Sequence, residues 1–380
     1  MFSIFKTFFL LGWVSFGGPA AHIGYFRNAF VEKRKWLSDE EYAQIVALSQ
    51  FLPGPGSSQV GFAVGYKKGG LLGAVSAFVG FTLPSVILML LLAVLSSQFT
   101  ESSLFQSIIH GLKLLAVVVV ADACWGMYKN FCKDKLTVGL CVFTAIALLV
   151  APSIMTQIGV LIFAALLGSY YLKKGEAKPF KTSELSFTPL IIFISLLIGL
   201  PVAASLSDSV QLFSDFYQAG SLVFGGGHVV LPLLQNIVGD TVSQDAFLTG
   251  YAAAQAVPGP MFTLATYVGY EMLPSAPLTG AFLATIAVFL PGFLLLLGVL
   301  KNWQALASQP KIAGALVGVN ASVVGLLLAA LYSPVFTSAI FSAIDIALVI
   351  TGIYLLKQLK LPIVYLVAFF ALSGAFIGLI

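Results

Sequence analysis

Charge is what this chain has least of. Only 9% of its 380 residues are Asp, Glu, Lys or Arg, against about 25% in ordinary soluble domains. Nineteen basic and fifteen acidic side chains are too few to solvate a 40.2 kDa globule, which excludes a soluble fold. The basic residues are scattered between apolar runs and form no stripe, so the net charge of +4 does not point to nucleic acid. Three cysteines, Cys124, Cys132 and Cys141, give neither a disulfide framework nor a CxxC metal site. Walker, HExxH and GxSxG motifs and paired carboxylates are absent as well. No ATP hydrolysis and no covalent mechanism is supported, no cofactor or metal is expected, and the chain does not read as an enzyme. Any transport would be secondary.

What is present is apolar sequence, 59% of the chain, with a mean hydropathy of +1.00. Runs such as Leu83 to Val94, Leu114 to Ala121, Ile191 to Leu200 and Leu361 to Leu372 lack the alternation that barrel strands require. The fold class is therefore all-α, a polytopic membrane protein with room for about ten segments of roughly 20 residues. Met1 to Gly12 shows no signal-peptidase site and is read as part of the mature protein.

The chain repeats itself. Phe16-Gly17-Gly18-Pro19 with His22 recurs as Phe224-Gly225-Gly226-Gly227 with His228, and Gln50-Phe51-Leu52-Pro53-Gly54-Pro55 as Gln255-Ala256-Val257-Pro258-Gly259-Pro260. Phe81-Thr82-Leu83-Pro84 recurs as Val288-Phe289-Leu290-Pro291, and Pro152 as Pro362. Four landmarks in one order at a nearly constant displacement define two homologous repeats, 1–172 and 209–380. Between them lie a polar linker from Lys173 and an apolar segment, 187–204, without a counterpart in the first half. One added span inverts the second copy.

The distribution of positive charge supports that inversion. Residues 1–35 and 40–66 are expected to dip into the membrane and return. Full spans are expected near 71–95, 104–128, 136–151, 156–172 and 187–206, then 278–300, 312–331, 341–357 and 362–380. Every Lys and Arg except Lys113 then lies on the cytoplasmic side. Glu101, Asp208, Asp215, Asp240, Asp245 and Glu271 lie outside.

Pro53-Gly54-Pro55 and Pro258-Gly259-Pro260 each place two ring nitrogens without N–H in an apolar segment, so the helix must break there. A break at membrane depth is tolerated only against protein or a wet cavity. The half-helix that restarts, with Ser57 and Ser58 in one copy and Thr263 in the other, aims its N-terminal amides inward, which suits an anion. Packing kinks are the plainer reading of one such motif; two in matching positions favour a site. The glycine-rich turns from Ser15 to Gly18 and from Phe224 to Gly227 let backbone approach a ligand closely. His22 and His228 are candidate hydrogen-bond donors or proton carriers, set against a structural role. Gln50 and Gln255 are candidates to cap the broken helix or to contact the ligand.

Lys113 lies inside a span, where a cation costs about 2.5 to 3.5 kcal/mol or more, so it should face a cavity or a partner. Asp122 follows nine residues later, on the opposite face of the same helix, so the two do not pair with each other. They are candidates for anion attraction and proton coupling, against snorkelling and a cross-helix hydrogen bond. Asn320 is a weaker case of the same kind.

The run from Ser15 to Tyr66, with FGGGHVVLPLL at Phe224 to Leu234 and GYAAAQAVPGPMFTLATYVG at Gly250 to Gly269, resembles the chromate ion transporter family in its long, two-domain form. The resemblance covers nearly the whole chain. It implies export of chromate from the bacterial cytoplasm, giving chromate resistance, with sulfate as the related dianion. The location implied is the cytoplasmic (inner) membrane, with lipid and further copies of the chain as other candidate partners. Motif positions carried over are Gly17, Gly18, Pro19, His22, Gln50, Pro53, Gly54 and Pro55, and Gly225, Gly226, Gly227, His228, Gln255, Pro258, Gly259 and Pro260. The second copy lacks Pro19 and has Phe262-Thr263 for Ser57-Ser58, so the half-sites should be unequal. Two other readings stay open on the sequence: a transporter of another anion, and an intramembrane enzyme or assembly protein.

Overall fold

A computed structural model describes residues 1–16, 18–99, 102–172, 186–224, 230–239, 241–300 and 309–378. Among them every regular element is helical. The first repeat comprises α1 (Phe2–Val14), α2 (Gly18–Arg27), α3 (Asp39–Phe51), α4 (Gly56–Phe99), α5 (Ser103–Phe131), α6 (Lys135–Val150) and α7 (Ile154–Tyr171). After α8 (Phe187–Ala203) come α9 (Asp208–Leu222), α10 (Val230–Val238), α11 (Gln244–Ala256), α12 (Leu264–Met272), α13 (Pro277–Val299), α14 (Pro310–Ala330), α15 (Ala343–Lys357) and α16 (Ile363–Ile377). α4 is two helices joined at Gly69 and Gly70, where the backbone leaves helical geometry. Once it is divided there, α9 to α16 repeat α1 to α7 element for element.

Among the described residues five helices are long and apolar enough to cross a membrane: the 56–96 stretch of α4, α5, α8 with its short extension to Leu206, α13, and α14 with its extension to Phe336. The segments expected as spans at 136–151, 156–172, 341–357 and 362–380 are helices of 16, 18, 15 and 15 residues. These fall short of the roughly 20 residues of a perpendicular crossing, and α6 with α7, and α15 with α16, are joined by short connections. α8 buries no residue. It lies along α9 and α13 and turns Ile191, Ile194 and Ile198 outward.

The repeats are not two separate bodies. α5 of the first packs against α15 and α16 of the second, while α14 of the second packs between α6 and α7 of the first. Both crossings run through glycine. A Cβ at Gly111 on α5 would overlap the backbone of Phe370 and Gly374, and one at Gly318 on α14 would overlap that of Ala164 and Gly168. Only small residues allow helices to approach this closely where no water is squeezed out to drive association. A hydrogen bond and an ion pair tie α5 to α15 as well, His110 with Asp345 at 2.8 Å and Asp122 with Lys357. The partners are twelve residues apart on each helix, so the two helices run parallel in register.

Candidate functional site

The site is built where two helix breaks cross. α3 starts at Ser38, whose hydroxyl accepts the Glu41 amide while the Glu41 carboxylate accepts the Ser38 amide, a capping box. It stops at Leu52, which turns extended at ψ 149° because the following Pro53 excludes helical backbone from its neighbour. α11 starts at a Ser243 cap and stops the same way at Val257, ψ 142°, before Pro258. Each break turns on a glycine in a conformation that side chains resist, Gly54 at φ +121° and Gly259 at φ +99°.

Those glycines lock the repeats together. The Gly54 amide donates to the Val223 carbonyl at the end of α9 at 2.7 Å, and the Gly259 amide donates to the Ser15 carbonyl at the end of α1 at 2.8 Å. Each break thus closes the open end of the other repeat's first helix, a reciprocal exchange. Gly54 also lies against Gly292, next to Pro291 in α13, and Gly259 lies against Ser85, next to Pro84 in α4. Both glycine amides are therefore taken by protein carbonyls and are not offered to a ligand here.

Around the first break the polar groups converge. His22 Nε2 faces the Ser15 carbonyl at 3.1 Å, so it carries the proton, and Nδ1 accepts the Ser57 hydroxyl at 3.2 Å. His22 is wholly buried and satisfied at both nitrogens, so its geometry is that of a strut between α1 and the restart of α4. Gln59 donates to the Pro53 carbonyl at 2.9 Å and to the Gly292 carbonyl at 3.1 Å. Of the five buried polar atoms without a hydrogen-bond partner among the described residues, four belong to this crossing: Ser15 Oγ, Ser58 Oγ, Thr82 Oγ1 and Gln59 Oε1, the fifth being an Asp122 oxygen that is ion-paired with Lys357. Buried orphans of this kind are rare and call for an explanation. The first amides of α4, at Gly56, Ser57 and Ser58, have no acceptor within their own helix either.

The second break is drier. Its chain restarts through a short 3-10 turn, Met261–Thr263, where the Thr263 hydroxyl donates back to Pro260. The positions equivalent to Ser15, Ser57, Gln59 and Thr82 are Val223, Phe262, Leu264 and Phe289, all buried. Gln255 is partly buried in α11, while Gln50 is exposed at the end of α3. Pro53 is half-buried and Pro258 buried, and Gly18 opens α2. Gly17, Gly225, Gly226, Gly227 and His228 lie outside the described residues.

Lys113 and Asp122 stand apart from this crossing and do not pair with each other. Lys113 is buried at 6% exposure, and its ammonium meets Asp245 of α11 at 2.5 Å. Asp122 is engaged with Lys357 of α15. Sequence reasoning missed Gln59, Thr82 and Asp245. Thr82 sits inside the recurring Phe-Thr-Leu-Pro landmark and Gln59 two residues past Ser57, so both were in view. Asp245 carried no such signal.

A bundle of broken apolar helices, doubled and interlocked around a buried polar crossing, is the architecture of a polytopic membrane transporter. The chain belongs to the chromate transporter family, whose model matches residues 2–169 and 210–378. The chromate transport protein of Cupriavidus metallidurans is 27% identical over 386 residues, 97% of this chain and 90% of that one. The uncharacterized transporter MJ0718 of Methanocaldococcus jannaschii is 29% identical over 337 residues, 86% of this chain and 82% of that one. The uncharacterized transporter YwrA of Bacillus subtilis is 26% identical over 164 residues, 43% of this chain but 92% of its own length, so a single repeat makes up nearly that whole protein. No solved structure matches the chain.

Proposed function

We propose that the chain exports chromate, a tetrahedral dianion, across the cytoplasmic membrane by alternating access. In this reading residues 1–172 and 209–380 are halves of inverted topology joined by 173–208. The broken hairpins of both halves enclose one oxyanion site. The observation that carries it is the set of orphaned hydroxyls of Ser15, Ser58 and Thr82 beside the α4 N-terminus. Hydroxyls and helix-start amides are the donors a dehydrated oxyanion needs. Protein carbonyls hold Gly54 and Gly259, and Ser15 and Ser57 hold His22, so these groups shape the site. The unequal second half supplies an apolar wall from Val223, Phe262 and Phe289.

Export by this route needs no coupled ion. Each charge crossing 100 mV is worth about 2.3 kcal/mol, so a dianion leaving a negative interior gains roughly 4.6 kcal/mol, on the order of a thousandfold in concentration ratio. The test is flux of radiolabelled chromate against sulfate in proteoliposomes at a set potential. Potential-driven chromate flux is expected, and no flux of either ion rejects the reading.

A further inference from the structure

The two ends of the bundle are in different states. At one end α5 lies against α11, and the Lys113 ammonium meets Asp245 across the repeats. The Ser96 hydroxyl, on α4, meets Tyr267 of α12 at 3.1 Å beside it. Both contacts border a 460 Å³ cavity that also reaches Thr249 and Glu271. Along α11 below this end, Leu248 and Ala252 are buried at 1% and 0%. On α3 the equivalent positions are Ala43 and Ala47, and both are exposed, in line with Glu40 and Gln50.

That exposed stripe does not resemble the lipid-facing surface. Where other helices turn outward they show Leu71, Leu72, Val75 and Val79, or Ile191, Ile194 and Ile198. The α3 stripe reads Glu, Ala, Ala, Gln and ends beside the first break. Small and polar side chains in a row suit water better than lipid, and the stripe runs from the α3 N-terminus to the first break. That N-terminus is ringed by Arg27, Arg34, Lys67 and Lys68, the cytoplasmic signature. The sequence builds in the same inequality. Lys113 corresponds to Asn320, which carries no charge, so this ion pair cannot be repeated at the α3 end.

We propose that the structure is the inward-facing state and that the Lys113–Asp245 pair is its outer gate. A buried cation must keep a partner in every state. When the gate opens, the departing dianion replaces Asp245 as the partner of Lys113. The opening step is thereby tied to the presence of anionic cargo.

The proposal rests on the transport reading, but its test needs no substrate, so the two fail separately. In full-length protein with the three buried native cysteines replaced by alanine, Ala47→Cys and Ala252→Cys report the two faces of the crossing. In oriented vesicles a membrane-impermeant thiol reagent should modify Ala47→Cys from the cytoplasmic side and leave Ala252→Cys protected from outside. Adding Lys113→Met, or the milder Asp245→Asn, should raise outside labelling at Ala252→Cys roughly tenfold. The charge swap Lys113→Asp with Asp245→Lys should restore protection, which separates a lost gate from a damaged fold. Ala252→Cys that stays protected in both single variants, a swap as reactive as they are, or Ala47→Cys reached from outside would each overturn the proposal.

Discussion

Replacing the glycine of the first break by alanine tests the reciprocal exchange most directly. Gly54 sits at φ +121°, outside even the small left-handed pocket that side chains tolerate. A Cβ there would stand 3.0 Å from the Gly292 Cα and 3.1 Å from the Gln59 amide nitrogen. Neither gives way easily: the first is backbone in the middle of α13, and the second is held by two carbonyls. Backbone strain of about 1 to 3 kcal/mol plus about 1 to 3 kcal/mol for overpacking gives about 2 to 6 kcal/mol for Gly54→Ala. Gly70 provides the control, since it also has positive φ, +62°, yet nothing lies within 4 Å of its would-be Cβ. With ψ at −156° Gly70 lies in an equally glycine-restricted region, so Gly70→Ala should cost the backbone strain of about 1 to 3 kcal/mol alone, without the packing cost. Gly259→Ala should fall between, because its nearest neighbour is the rotatable Ser85 hydroxyl at 2.9 Å, and Ser85→Ala should recover part of the loss. Thermal unfolding in detergent, followed by size exclusion, ranks the three at roughly 2 °C per kcal/mol or less in a chain of this size. If Gly54→Ala melts with Gly70→Ala, the close crossing does not hold the repeats together and the reasoning is wrong.

Three further outcomes are expected. Ser58→Ala combined with Thr82→Ala removes two orphaned hydroxyls at little cost to folding. It should weaken chromate binding by about 10- to 100-fold or more, the worth of one or two hydrogen bonds to a charged ligand, as read by equilibrium binding to purified protein. Gly111→Leu or Gly318→Leu drives a side chain into the facing helix backbone and should abolish the monodisperse folded peak, whereas Gly139→Ala, with open space around it, should keep it. The third concerns Glu41, whose carboxylate accepts from Lys67 at 2.8 Å. That bond, with help from the Ser38 amide, holds it below the usual glutamate range. Because the folded value is the lower one, the pair's contribution is complete above the unfolded value of about 4.3 and disappears as pH falls through the folded one. The difference in melting temperature between the native chain and Lys67→Met should be small, constant above about pH 5, and shrink as the pH falls through the folded value.

The membrane class, the helical fold, the repeat and the two breaks were all legible in the chain, because each is a local property. Scarce charge, apolar runs without alternation and the Pro-Gly-Pro motifs act within a few residues of where they stand. Leu52 and Val257 turn extended because a proline follows, whatever packs around them. The residues that converge on the first break were legible in part, since Ser57, Ser58 and His22 lie in the motif itself. Partnership was not. Nothing local says that the Gly54 amide meets Val223 in the other repeat, that α14 threads between α6 and α7, or that Lys113 finds Asp245. Those contacts join residues more than a hundred positions apart, and a buried hydrogen bond or charge takes whichever partner the packed helices bring within reach. The inequality of the two ends belongs to the same level: Ala47 and Ala252 are the same residue in the same motif, and only the packing of neighbouring helices buries one and leaves the other exposed.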